Sequence, residues 1–402
     1  MKRRMPETEC LKDRKRAYAP HNKSGRSGSS LDWNWLQDNY RVRQRFLPEN
    51  VGGDVNYRQM ATQKELAKLA RVSAGTVSNV ISGSTQVGEE TRKKVLAAIR
   101  TLNYHPNLIA RSLKTNRTNT LGIIVPDLTV PFIPKVIRGA EAAASERGYL
   151  LIVLDSENQH SREKEMLALL RSQRVDGILL VAAGGLKWSE GRAAEITSGP
   201  PVVCLDRLPD GLDVDSVCVD DRIAAGMAVS HLLAMGHRKI AILIGPPSLR
   251  NEQERLRGYR LALQKAGIPV RDSLIWVGGF DPGEVSRACQ KGLLKPAGRP
   301  SALFTTNGVT GLEALRSIYS SGLSTPRDIA FVTFDEITLE EFFQPGITSV
   351  VQPAFDIGHR AVEVLLERIA EGTSTNPRVK VRLPATLVVR ESSSVPCRDR
   401  RK

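Results

Sequence analysis

No apolar run in this 402-residue chain approaches the ~20 residues needed to cross a bilayer, and the start MKRRMPETECLKDRKRAYAP is basic with no apolar stretch behind it. Neither a membrane span nor a secretory leader is expected, which places the chain in the cytoplasm. The five cysteines, Cys10, Cys204, Cys218, Cys289 and Cys397, are odd in number, scattered, and form no C-x-x-C pair. That pattern excludes a disulfide framework or a zinc site as the organising feature and leaves reduced, structural thiols. Catalytic signatures are missing as well: G-x-x-x-x-G-K-[ST], G-x-S-x-G, H-E-x-x-H and a strand-linked G-x-G-x-x-G do not occur. His231, His237 and His359 are dispersed, and His237 in GHRK suits a helix end better than acid/base chemistry. No enzyme, cofactor or metal is expected.

What the sequence does have is an uneven charge. Residues 1–59 carry 13 Lys/Arg against 7 Asp/Glu, residues 60–119 carry 10 against 3, and only +2 of the total +15 remains from Thr120 onward. A basic front on a nearly neutral body predicts a polyanion-binding head joined to a body with another task, although a basic run can also be a solvated face.

Residues 1–59, with NKSGRSGSS and LDWNWLQDNYRVRQRF, show no sustained period, so disorder is expected there. Trp33 and Trp35 could mark a short interaction helix; alternatively Met60 is the true start. At Thr62 a capping box, Thr62-Gln63-Lys64-Glu65, opens a helix with Leu66, Ala67, Leu69 and Ala70 at helical spacing. Ser73 can cap a second helix to about Ile81. A third, from about Glu89 to Leu102, carries Val95, Ala98, Ile99 and Leu102 on one face. Together residues 60–105 form a helix-turn-helix unit. Residues 106–119 follow as a separate linking segment, where Pro106 opens a helix of about two turns that is marginal alone.

After Thr120 short apolar strands such as LGIIV, YLLIVL, VDGILLVA, PVVCLD, KIAILIG, ALFTTN and IAFVTFD alternate with amphipathic helices. The expected fold for residues 120–393 is a two-lobed α/β body of parallel sheets, too long for one sheet, with ligands beyond the carboxyl ends of the strands. Residues 394–402 form a short basic tail.

These residues resemble the LacI/GalR family of bacterial transcription repressors from about Met60 to Ser393. The resemblance is carried by LAKLARVSAGTVSNVISG in the head and YHPNLIARSL in the hinge. In the body it is carried by GIIVPDLTVPF, RVDGILL, PVVCLDR, HLLAMGHRKIAILIGP, ERLRGYRLAL, TFDE and PGITSVVQPAFDIGHRAVEVLL. It implies a homodimer whose two heads read a pseudo-palindromic double-stranded DNA operator. It also implies paired hinge helices entering the minor groove, and a small molecule, a sugar or derivative, held between periplasmic-binding-protein-like lobes. A solute-binding protein of the same body fold is the rival reading; the helix-turn-helix and the missing leader argue against it.

The short side chains of VSAGTVSNV then acquire separate tasks. Ser73, Thr76 and Ser78 suit capping and phosphate contacts, while Val77 and Val80 pack inward. Ala74, Gly75 and Asn79 fall where the family reads bases: Asn can pair bidentately with adenine and Ala can touch a thymine methyl. Asn79 can equally be an exposed helix-end residue. It stands where Arg is commonest in the family, and Arg71 replaces the usual turn Gly, straining the turn if its φ is positive. In the hinge, Asn107, Arg111 and Lys114 are expected on DNA. Leu113, otherwise an ordinary packing residue, matches the leucine that wedges between base pairs. The family's effector contacts fall on Phe132, Asp206, Arg255, Asn307 and Asp335, with Phe280 as a further candidate. An aromatic face with carboxylates, a guanidinium fork and an amide suits a hydroxyl-rich ring, although carboxylates at strand ends can simply cap helices. Gly308 and Glu313 depart from the residues usual in relatives and leave the ligand open.

Overall fold

The computed structural model describes residues 61–81, 86–104, 117–184, 199–209, 212–294, 298–337, 344–372 and 376–394. The expectations for residues 1–59, for the hinge contacts Asn107, Arg111, Leu113 and Lys114, and for the tail from 395 lie outside these. The chain divides into two compact units at Pro106/Asn107.

In the first unit, α1 (Gln63–Ala70), α2 (Ala74–Ile81) and α3 (Glu89–Thr101) surround one small core. The capping box is present: Glu65 N–H donates to Thr62 Oγ1 at 3.3 Å and Thr62 N–H donates to Glu65 Oε2 at 2.6 Å. Such a cap contributes about 1 kcal/mol. Leu66, Ala67 and Ala70 turn inward against Val77, Val80, Val95 and Ala98, with Ile99 and Leu102 packed at the margin. Leu69 departs from expectation: it is 49% exposed, because three inward residues already fill the one stripe that an eight-residue helix offers to so small a core. Arg71 closes α1 in the left-handed region (φ 54, ψ 46), so the turn that usually takes Gly does impose a positive φ on a residue with a Cβ.

The second unit holds two six-stranded sheets. The first lobe contains β1 (Thr120–Val125), α4 (Phe132–Glu146), β2 (Leu150–Asp155), α5 (His160–Ser172), β3 (Gly177–Leu180), β4 (Val202–Leu205) and β5 (Asp215–Val219). The second contains α6 (Asp221–Ala234), β6 (Ile240–Ile244), α7 (Arg250–Lys265), β7 (Ile275–Val277), α8 (Pro282–Leu293), β8 (Ala302–Thr305), α9 (Gly308–Ser320), β9 (Ala330–Phe334) and β10 (Thr348–Val351). Then α10 (Ala354–Glu371) and β11 (Lys380–Leu383) return to the first lobe, and β12 (Thr386–Val388) ends in the second. Strand order is β11-β5-β4-β3-β1-β2 and β12-β10-β9-β8-β6-β7; every pairing is parallel except β10 with β12.

β3, β4, β5, β6, β8 and β9 are buried at every position. That burial explains why β3, β4, β6, β8 and β9 read as continuous apolar runs rather than alternating ones, whereas β5 opens with the buried pair Asp215 and Ser216. The chain passes between lobes three times, after β5, after β10 and between β11 and β12. Two helices of the first lobe cross very closely: a Cβ on Gly139 of α4 would lie 1.9 Å from Phe355 O, and one on Gly358 of α10 would lie 2.0 Å from Val136 O. Glycine at both positions is required by that approach.

The cysteine expectation fits the structure where it can be seen. Cys204, Cys218 and Cys289 are free and buried, and burial pushes the last two thiols up to about 12. His237 stands at the end of a helix, as the sequence reading expected. Its backbone N–H closes the end of α6 on Leu232 O at 3.1 Å, but its ring is buried beside Ser301 Oγ at 3.0 Å. Burial lowers its pKa.

Candidate functional site

The outward face of α2 is built from the residues expected there. Ser73, just ahead of the helix, accepts from Thr76 N–H at 3.0 Å and lies 2.9 Å from the Thr76 hydroxyl, so its first task is to cap. Val77 and Val80 anchor the helix from behind, which leaves Ala74, Gly75 and Asn79 exposed and Thr76 and Ser78 half-buried. A helix pinned on its inner side with a row of small residues on its outer side can lie close against a flat or grooved polymer.

In the body, the segments leaving the carboxyl ends of both sheets converge on one cavity of about 100 Å³. The first lobe contributes Asp127 after β1, Phe132 at the start of α4, Asn158 after β2, and Asp206 and Arg207 after β4. The second contributes Asn251, Glu252 and Arg255 from α7, Phe280 after β7, Asn307 after β8, and Asp335 and Glu336 after β9. Asp206 and Asp335, each the first residue beyond its strand, have positive φ (53° and 66°), so the chain turns sharply as it leaves the sheet. Contacts that join the lobes at the cavity include Lys135 Nζ to Glu336 at 2.8 Å, Arg255 Nη2 to Asp206 at 3.8 Å, and the Arg207 guanidinium 5.0 Å over the Phe280 ring.

Arg255 is the electrostatic centre. It is only 2% exposed, donates from Nε to Asp221 at 2.8 Å and from Nη1 to Thr306 O at 2.6 Å, and stacks 3.7 Å over Phe334. Its Nη2 has no hydrogen-bond partner. Burial opposes its charge, but Asp221, Asp335, Glu252 and Asp206 around it raise its pKa above the ordinary value. The carboxylates feel their own burial: Asp221 is pushed up to about 7, with Arg255 pulling the other way, and Asp335 up to about 6. For the Asp221–Arg255 contact the 2.8 Å bond means that the guanidinium stays charged. Asp335 accepts from Gln352 Nε2 at 2.8 Å. Asn307 caps α9 by accepting from Thr310 N–H at 2.9 Å, and its amide donates to Glu252 Oε1 at 2.9 Å. Glu252 in turn accepts from Gly245 N–H at 3.0 Å and from the Thr306 hydroxyl.

All six residues carried onto the cavity by resemblance therefore line it: Phe132, Asp206, Arg255, Phe280, Asn307 and Asp335. Sequence reasoning missed Glu252, Arg207, Asp221 and Gln352. Glu252 and Arg255 stand three apart at the start of α7 and share a face by helical spacing, a signal that was available. Gln352 gave none, since only the fold brings the β10 exit to Asp335. The capping alternative raised for the strand-end carboxylates is not what their contacts give, since Asp335 accepts from Gln352 and Asp206 lies beside Arg207 and Arg255, whereas the amide of Asn307 both caps α9 and lines the cavity. Among the described residues there is no group of three or more His, Cys, Asp or Glu able to hold a metal ion, and no helix is long and apolar enough to cross a membrane.

The profile for bacterial regulatory proteins of the lacI family matches residues 62–107, and that for a periplasmic binding protein-like domain matches 229–393. The ribose operon repressor of Escherichia coli (strain K12) is 35% identical over 322 residues, covering 80% of this chain and 97% of that protein. The HTH-type transcriptional repressor PurR of Aliivibrio salmonicida (strain LFI1238) is 36% identical over 312 residues, covering 78% and 93%. Among solved structures, a lac repressor dimer bound to operator and the anti-inducer ONPF superposes with a TM-score of 0.73 at 26% identity. A transcriptional regulator CelR–cellobiose complex does so with 0.62 at 33% identity; each match covers 83% of this chain and 99% of the other.

Proposed function

This chain belongs to the lacI family of bacterial regulatory proteins, and from that premise we propose how its residues divide the work of a DNA-binding transcriptional repressor controlled by a small molecule. Residues 60–105 bind operator DNA, 106–119 connect, and 120–393 hold the effector and pair two copies. On α2, Asn79, Ala74 and Gly75 face base edges, while Ser73, Thr76 and Ser78 contact phosphates. From the hinge, Arg111 and Asn107 reach DNA and Leu113 wedges between base pairs. The dimer follows from the need of one small head for a second half-site, and the lac repressor neighbour is a dimer on its operator.

The observation that carries the effector reading is the cavity at the carboxyl ends of both sheets. It is lined by both lobes and centred on a buried guanidinium with one N–H group unused. Five carboxylates (Asp127, Asp206, Glu252, Asp335, Glu336) and two arginines (Arg207, Arg255) line it, so the surplus of acceptors favours a neutral, hydroxyl-rich ring over an anion. At about 100 Å³ the cavity is smaller than the ~300–1,000 Å³ common for ligand pockets, so anything larger than one ring requires the lobes to part. The lobe closure that a ligand favours is the signal to the DNA-binding end. Like its repressor relatives, the chain acts by binding without turnover.

The test is a gel shift on the promoter region of its own gene, with and without pentoses, hexoses and disaccharides including ribose and cellobiose. A specific complex that a sugar strengthens or releases, with the sugar recovered unchanged, supports the reading. A sugar that binds without any DNA complex supports the solute-binding alternative.

A further inference from the structure

Asp176 immediately precedes β3, at the amino end of the first lobe's sheet and so at the opposite pole from the cavity. Its carboxylate accepts from Thr118 N–H at 2.9 Å through Oδ1 and from Asn119 N–H at 2.9 Å through Oδ2, with the Thr118 hydroxyl 3.1 Å from Oδ1. That hydroxyl is also 3.0 Å from Arg174 O, and Asp176's own N–H donates to Thr120 O at 2.8 Å. Asn119, at φ 49, accepts from Leu150 N–H at 2.9 Å. The last residues before β1 are thus held from both neighbouring strands, and the two bonds to an ionised acceptor are the stronger kind.

β1 is hydrogen-bonded on both sides, to β2 and β3, and its far end leads to Asp127 and Phe132 at the cavity. Six strand residues span about 20 Å, so one stiff element joins this clamp to the effector site. On its other side the clamp holds the residues that follow the connecting segment in sequence. We propose that Asp176 is the positioning residue that fixes where that segment leaves the body and thereby sets the distance between the two heads of a dimer. This rests on the reading of the chain as a dimeric operator-binding regulator. Freed at this point, the tether keeps each head's contacts but lowers the effective concentration of the second head at the second half-site.

The experiment uses the full-length protein and a pseudo-palindromic DNA that the parent selects from a random pool. Asp176→Ala is expected to bind it about tenfold more weakly while binding unrelated DNA as the parent does. Insertion of one base pair between the half-sites is expected to penalise the parent much more than the variant. Asp176→Asn, which keeps one acceptor oxygen but turns an amide toward the Asn119 N–H, is expected to fall between them. Thr118→Val should weaken binding alone yet add little to Asp176→Ala, because the two act through one clamp. A lower thermal midpoint with spacing preference intact, or unchanged affinity for the selected DNA, overturns the proposal. A pool that yields no preferred sequence removes the operator reading itself, and the proposal with it.

Discussion

The outer face of α2 and the body cavity, the two surfaces proposed to meet DNA and effector, are built in opposite ways. On α2 the exposed residues are small, and Val77 and Val80 hold the helix from its other side. In the cavity three lining residues are also structural partners: Arg255 of Asp221, Asn307 of Glu252 and Thr310, and Asp335 of Gln352. The difference predicts that the exposed Ala74, Gly75 and Asn79 can change with little loss of stability, whereas Ser73 caps its helix and a change at Arg255, Asn307 or Asp335 disturbs a buried polar network.

The largest effect should come from Arg255→Met. Removing its guanidinium from beside Asp221, Asp206 and Asp335 should cost about 3–5 kcal/mol in urea unfolding and abolish effector binding. A variant as stable as the parent would break the comparison at once. Next, Asn79→Ala should weaken the cognate operator by about 1–3 kcal/mol and spare both non-specific binding and stability. Equal losses on both DNAs would show that Asn79 touches only backbone.

A third effect depends on pH. Unfolded, the Asp335 carboxyl titrates near its ordinary value; folded, burial holds it up to about 6, so the folded chain keeps an extra proton between those values. The stability this contributes is full below about pH 4 and is lost as pH rises through about 6. Between about pH 5 and 7 the parent should therefore lose about 1 kcal/mol relative to Asp335→Asn, read from paired denaturation curves. Parallel curves would contradict the burial argument. The smallest effect is Arg71→Gly, which relieves the positive φ of the turn and should stabilise the first unit by about 0.5–1 kcal/mol in thermal melts. A lower midpoint would mean that the Arg71 side chain holds more than the turn strains.

The same contrast governs how far each region was legible in the sequence. The helix-turn-helix could be read because its signals are local: a capping box, Ser73 as cap, and apolar spacing within one helix. Strands buried on both faces announced themselves as apolar runs. β5, β10, β11, β12 and α8 did not: polar residues interrupt the strands, Asp215 and Ser216 in DSVCV, Thr348 and Ser349 in TSVV, Lys380 and Arg382 in KVRL and Thr386 in TLV, and α8 buries only Val285, Cys289 and Leu293. The six residues that resemblance singled out line one cavity, but Gln352 and Asp221 meet their partners only through the packing of β10 beside β9 and of α6 on α7. The Asp176 clamp was equally invisible, because it joins residues 58 positions apart.

The central claim is that the cavity and the DNA-reading face are energetically coupled, and coupling is reciprocal. The most direct test is calorimetric titration of the sugar that shifts the operator complex into the protein alone and into the protein saturated with operator. The account predicts that sugar affinity differs between the two by the same factor by which the sugar changes operator affinity. Equal sugar affinity in both titrations, beside a sugar-dependent gel shift, would contradict it.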